Sequence, residues 1–158
     1  MTLYLNNQHP RSRISRLYFE KRVRKILHRL HKPRAILGIT FVTDGKIRRL
    51  NRLYRGKNQS TDVLSFPMMV PSFKPSPLGG EGVPQSGTGE GCIRDLLGDV
   101  VISVDTARRQ AIGAGRPLRE EMLSLIIHGV LHLLGYDHIR QKDWIRMRNK
   151  EEELWQLV

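Results

Sequence analysis

Apolar positions recur along this chain with two periods, and the switches between them outline nine elements. Short runs rich in β-branched and apolar residues fall at Thr2–Asn6, Ala35–Val42, Val63–Phe66 and Leu96–Ser103, and predict four strands. Helical spacing predicts five helices. The first covers Ser15–Leu30, with Leu17, Val23, Ile26, Leu27 and Leu30 along one stripe, Ser15 suited to cap it and Pro33 just past its end. Thr43 caps the second, from Asp44 to about Tyr54, with Ile47, Leu50 and Leu53 (or Tyr54) facing inward. Val104–Ile112 is a short third helix stopped by Gly113-Ala114-Gly115. Pro117 opens a fourth, apolar nearly all round, that ends in LIIHGVLHLL. Gln141–Leu157 is the fifth, with Trp144, Met147, Leu154 and Trp155 as candidate core contacts.

Strands alternating with helices predict an α+β fold: a mixed sheet of roughly four strands packed with about five helices. The stretch from Met68 to Gly91, MMVPSFKPSPLGGEGVPQSGTGEG, breaks the pattern, since proline, glycine and serine dominate it without apolar periodicity. It reads as a flexible insertion in one domain spanning 1–158, because neither flank can fold alone. A chain of 158 residues is long enough to bury about two-thirds of its unfolded surface.

Charge adds a second kind of pattern. Residues 1–60 hold 16 Lys and Arg against only Glu20 and Asp44, a net of +14, while residues 61–158 hold 11 against 13 acids, a net of −2. The whole basic excess lies in the first part of the chain, which points to a polyanionic partner, most simply a nucleic acid. The apolar runs fall short of the ~20 residues that cross a bilayer. Residues 1–13 lack the apolar core of a secretory signal, and the single cysteine, Cys92, suits a reducing compartment. A cytoplasmic protein is expected.

Three histidines carry the chemistry. His128 and His132 are one helical turn apart and project from the same face. Gly135 can take the left-handed conformation that ends a helix and lets the chain double back, so that His138 can supply a third ligand. Three protein ligands with an open fourth position describe a catalytic zinc site, although three imidazoles also suit copper, nickel or iron. The spacing follows the pattern H-E-x-x-H-x-x-G-x-x-H of zinc peptidases at every position but one. Gly129 stands where those enzymes place their general-base glutamate.

With these residues in view, the chain resembles the YbeY family of bacterial rRNA-maturation endoribonucleases. The matching pieces are YRGKNQSTDVLSFP at 54–67, LLGDVVIS at 96–103 and HGVLHLLGYDH at 128–138. The long insertion after Met68 is the departure from the family. The resemblance implies one zinc ion on His128, His132 and His138, and a catalytic Arg55. Its implied substrate is single-stranded rRNA, cut in maturing the 3′ end of the small-subunit rRNA and in ribosome quality control. Ribosomal proteins and GTPase assembly factors are implied partners. Arg48, Arg49, Arg52, Arg55 and Lys57 would hold RNA phosphates. Asp137, beside His138, is a further candidate for orienting a ligand or acting as a base. Two other functions stay open: a non-catalytic, zinc-stabilised RNA-binding assembly factor, and a zinc peptidase, against which Gly129 argues.

Overall fold

The computed structural model describes residues 1–68, 95–136 and 140–158. The insertion beyond Met68, Cys92, Asp137 and His138 lie outside these residues. Within them the chain runs β1 (Thr2–Asn7), α1 (Arg16–Arg29), β2 (Ile36–Val42), α2 (Asp44–Arg55), β3 (Val63–Pro67), β4 (Leu96–Ser103), α3 (Val104–Gly113), α4 (Leu118–Leu133) and α5 (Gln141–Gln156). The four strands form one mixed sheet in the order β1-β2-β4-β3. β1, β2 and β4 are parallel, whereas β3 pairs antiparallel with β4 and, among the described residues, leaves its other side as an edge. Pro67, which cannot donate to a ladder, is tolerated on such an edge strand.

Strand alternation sends residues to two unequal layers. Leu37, Ile39 and Phe41 of β2 and Val100 and Ile102 of β4 pack with Phe19, Val23, Ile26 and Leu27 of α1 and with the apolar body of α4. Val42, Leu64 and Val101 face the opposite way and are covered by Ile47, with Leu50 and Phe66 beside them. α2 therefore packs on one face of the sheet, and α1 and α4 on the other. Each Leu or Ile fully buried in these layers contributes about 1.5–3 kcal/mol.

The cap signals are realised. Ser15 accepts from the Tyr18 N–H and Thr43 from the Lys46 N–H, each at 3.4 Å. Pro117 stands one residue before α4, not within its first turn, and its carbonyl accepts from the Glu120 and Glu121 amides. Three stripes need correction. Leu17 is exposed, because the buried set starts at Phe19 and Leu17 lies roughly 200° round the helix from it. On α2, Ile47 and Asn51 face the sheet, while Leu53 and Tyr54 turn outward at 73% and 63% exposure. On α5, Met147 and Leu154 are buried and Trp155 partly so, but Trp144 is 45% exposed.

A polar knot ties the start of α2 to the start of α3. The Asp44 carboxylate accepts from the Ser103 and Thr106 hydroxyls at 2.5 and 2.7 Å and from the Arg109 guanidinium at 2.7 Å. Asp105 accepts from the Asp44 N–H at 2.9 Å and lies 3.0 Å from His9 Nε2. Burial alone would raise both carboxyls. For Asp44 the hydrogen bonds from Ser103, Thr106 and Arg109 outweigh it, and for Asp105 those from the Asp44 amide and His9 do. Both pKa values sit below the ordinary carboxylate value.

Candidate metal centre

α4 is apolar on almost every side, as a helix enclosed by a protein core must be. Glu120, Ser124, His128 and His132 recur every four residues and form a partly exposed stripe along it. The two histidines occupy the last two steps of that stripe. Their rings meet at 77° with centroids 4.6 Å apart, and the two Nε2 atoms are 3.0 Å from each other. On the far side of the His128 ring, Nδ1 lies 2.7 Å from Glu151 Oε1 of α5. A carboxylate only accepts, so Nδ1 donates to Glu151 and Nε2 is the ring nitrogen turned to His132.

This arrangement fits a metal ion. Two imidazole nitrogens at 3.0 Å need one shared proton or one shared cation between them. The separation is close to the ~3.3 Å edge of a tetrahedron with metal–nitrogen bonds of about 2.0–2.1 Å. A carboxylate on the opposite ring nitrogen is the usual partner of a metal-ligating histidine, fixing its tautomer and orientation. Among the described residues no group of three or more His, Cys, Asp and Glu side chains is placed to hold an ion. His138 would complete a trio and lies outside those residues.

The turn after α4 takes the form its glycine suggests. Gly135 is left-handed at φ 85°. Its N–H bonds to the His132 carbonyl and the Tyr136 N–H to the Leu131 carbonyl, each at 3.0 Å, closing the helix with a paired C-terminal cap.

Gly129 has a different reason. Here α4 crosses the sheet so closely that Ser65 Oγ of β3 donates to the Gly129 carbonyl at 3.2 Å. A Cβ at 129 would lie 2.6 and 3.0 Å from the two Val100 methyls and 3.2 Å from Ser65 Oγ. Position 129 thus faces the packed sheet, and a glutamate side chain does not fit there.

The cations fall elsewhere. Arg48, Arg49, Arg52, Arg55 and Lys57 are all exposed, on α2 and the turn that follows it. That helix packs on the sheet face opposite α4. β3 links the two regions. Its Ser65 touches Gly129, and its Phe66 meets the Tyr54 ring at 5.1 Å in a T-shaped contact. Arg55 is the last residue of α2, and Gly56 follows in the left-handed conformation at φ 68°. Arg55 has no hydrogen-bond or ion-pair partner among the described residues. Arg48 Nε donates to Asn58 Oδ1 at 2.9 Å, and buried Asn51 donates to the Gln59 carbonyl at 2.8 Å. Those two bonds hold the Arg55–Lys57 turn against its helix.

Glu151 and Asn51 were not among the sequence candidates, yet each has a signal. Met147, Glu151 and Leu154 share one helical stripe, so Glu151 is an acid on the inward side of α5. Asn51 is likewise four residues past buried Ile47.

Two clefts run along the seam of α4 and α5. One of about 370 Å³ is bordered by His128, Trp144, Met147, Arg148 and Glu151. Its neighbour, about 260 Å³, shares Arg148 and Glu151 and adds Arg116, Ser124 and Trp155. No described helix is long and apolar enough to cross a membrane.

Comparison with known proteins accounts for nearly the whole chain. The sequence model of the family described as Endoribonuclease YbeY matches residues 4–158. A protein named Endoribonuclease YbeY from Anaeromyxobacter sp. is 43% identical over 154 residues, covering 98% of this chain and 70% of its own length. Namesakes from Persephonella marina and Syntrophotalea carbinolica are 36% and 37% identical, covering 92% and 97% of this chain and 84% and 93% of their own lengths. The solution structure of a Thermotoga maritima protein shares the fold, with a TM-score of 0.57 at 22% identity over 98% of this chain and 90% of that one. A family match across this span, joined to relatives of such identity, establishes that the chain belongs to the YbeY endoribonuclease family.

Proposed function

We propose that this chain is a zinc-dependent endoribonuclease that cuts single-stranded RNA, and that its substrate is the small-subunit rRNA at its 3′ end during maturation and quality control. The observation that carries the reading is the facing pair His128 and His132, with Nε2 atoms 3.0 Å apart and Glu151 holding the other side of His128. His128, His132 and His138 would hold the ion. When bound, zinc supplies Lewis-acid chemistry, activating a water molecule or polarising a phosphoryl oxygen.

The remaining work falls to this chain's own groups. Glu151 keeps the His128 hydrogen on Nδ1 and so keeps Nε2 available. Arg55, exposed and free of competing partners among the described residues, pairs with a phosphate oxygen and stabilises charge growing there in the transition state. Arg48, Arg49, Arg52 and Lys57 bind flanking phosphates, so affinity falls steeply with salt. Because α2 and α4 pack on opposite faces of the sheet, the RNA strand passes the β3 side of the sheet to reach both. RNA carries a 2′-hydroxyl, so an attacking group is present without a glutamate at position 129.

That same position weighs against peptidase chemistry, since Val100 and Ser65 fill the space a general base would need. Membership of the family and the basic first sixty residues support RNA as substrate; ribosomal proteins and GTPase assembly factors are proposed as partners from the resemblance alone.

End-mapped cleavage of a single-stranded rRNA fragment tests the reading, with wild type beside Arg55→Ala and His128→Ala. Cleavage by wild type, lost in both variants, is expected. Products ending in 2′,3′-cyclic phosphate would assign the attack to the 2′-hydroxyl. RNA binding with equal, trace cleavage in all three proteins would leave a non-catalytic assembly factor instead.

A further inference from the structure

We propose that the cleft beside His128 is a nucleobase subsite, in which the Trp144 indole stacks on a base of single-stranded RNA and Arg148 pairs with the adjoining phosphate. The inference rests on the RNA-cleaving function proposed above and adds a binding site to it. At about 370 Å³ the cleft is in the size range of small-molecule sites, and it opens directly against a histidine of the metal centre. Trp144 is a large aromatic side chain left 45% exposed at its border, while Met147 and Leu154 anchor the same helix in the core. The fold does not need this indole for its interior.

Arg148, one turn further along α5, places its guanidinium carbon 5.1 Å from the Trp144 ring centroid. A cation at that distance steadies the ring and supplies positive charge where a backbone phosphate would follow a stacked base. Glu151, the acid on the same border, is engaged by the His128 ring at 2.7 Å. An aromatic platform beside a cation selects bases that are already unstacked, because a duplex keeps its base faces covered. The site thereby ties strand selection to the metal centre and complements the sequence-blind cations of α2.

The chain has two tryptophans, so Trp155→Phe leaves Trp144 as the sole indole reporter. The probes are a 2′-O-methyl hexauridylate, which cannot react through its 2′-oxygen, an abasic strand of equal length and charge, and a duplex containing the hexauridylate. Saturable change in Trp144 emission with hexauridylate, and little with the abasic strand or duplex, is expected. In the otherwise wild-type chain, Trp144→Ala should weaken hexauridylate binding about ten-fold or more and leave abasic binding unchanged, whereas Trp144→Phe should restore most of it. Arg148→Ala should weaken both single strands alike. Equal response to the abasic strand would overturn the subsite. So would tight hexauridylate binding, read by filter retention, that Trp144→Ala does not alter; the RNA-cleaving function would survive both results. Failure of wild type to retain any of the three probes would remove the RNA function itself, and the subsite with it.

Discussion

Replacing Gly129 by alanine adds one methyl where α4 crosses closely over the sheet. That methyl would sit 2.6 Å from one Val100 methyl and 3.0 Å from the other, and 3.2 Å from Ser65 Oγ. Val100 is fully buried and its branched side chain has few alternative rotamers, so relief requires α4 or β4 to move by several tenths of an ångström. Overpacking of this kind costs about 1–3 kcal/mol. Alanine recovers about 1 kcal/mol of helix propensity over glycine. The net destabilisation is therefore about 0–2 kcal/mol, and each 1 kcal/mol corresponds to about 2–4 °C in Tm for a domain of this size. The decisive assay is a double-mutant cycle by urea unfolding with Val100→Ala. Removing the Val100 methyls makes room, so Gly129→Ala in that background should become neutral or stabilising by up to about 1 kcal/mol. If Gly129→Ala costs the same with and without Val100, the close contact is not what demands a glycine there. Gly129→Glu should be worse by several kcal/mol, since it also sends a carboxylate toward the sheet.

Other consequences are simpler to check. Glu151→Gln should leave the fold intact and lower zinc affinity about 10–100-fold, as measured by competition with a chromophoric chelator; an unchanged affinity would make the Glu151–His128 bond irrelevant to the site. Asn51→Ala removes the hydrogen bond to the Gln59 carbonyl and should cost about 0.5–1.5 kcal/mol by urea unfolding, with weaker RNA cleavage as the Arg55–Lys57 turn loosens. Folded Asp44 and Asp105 titrate below the ordinary carboxylate value of 3.8, so their contribution to stability is present above that pH and is lost as pH falls through the folded values. Asp44→Ala should flatten stability against pH below about 3.8, and an acid limb of unaltered slope would refute the linkage.

Much of the architecture was legible because periodicity and caps agree. Ser15 and Thr43 mark helix starts, Gly135 marks a helix end, and the four strand runs all enter one sheet. The errors share a cause. Leu17, Leu53 and Trp144 are apolar residues near helix ends, where a stripe has passed the edge of what it packs against. Which face of the sheet each helix covers was not legible, since that depends on how strands order and cross over. The placement of α2 and α4 on opposite faces follows from that ordering. That His128 and His132 face each other was readable from spacing alone, because one helix presents both. Glu151 was not, since its approach to His128 joins residues 23 apart on different helices.

The imidazole pair at the end of α4 is proposed to hold the ion on which RNA cleavage depends. The most direct test of that proposal is a zinc titration of chelator-stripped protein, with metal content and end-mapped cleavage read on the same samples. Wild type should regain cleavage in proportion to bound zinc and saturate at one ion per chain, while His132→Ala should bind little and cleave nothing. Full cleavage by the stripped protein, or by His132→Ala without metal, would contradict it.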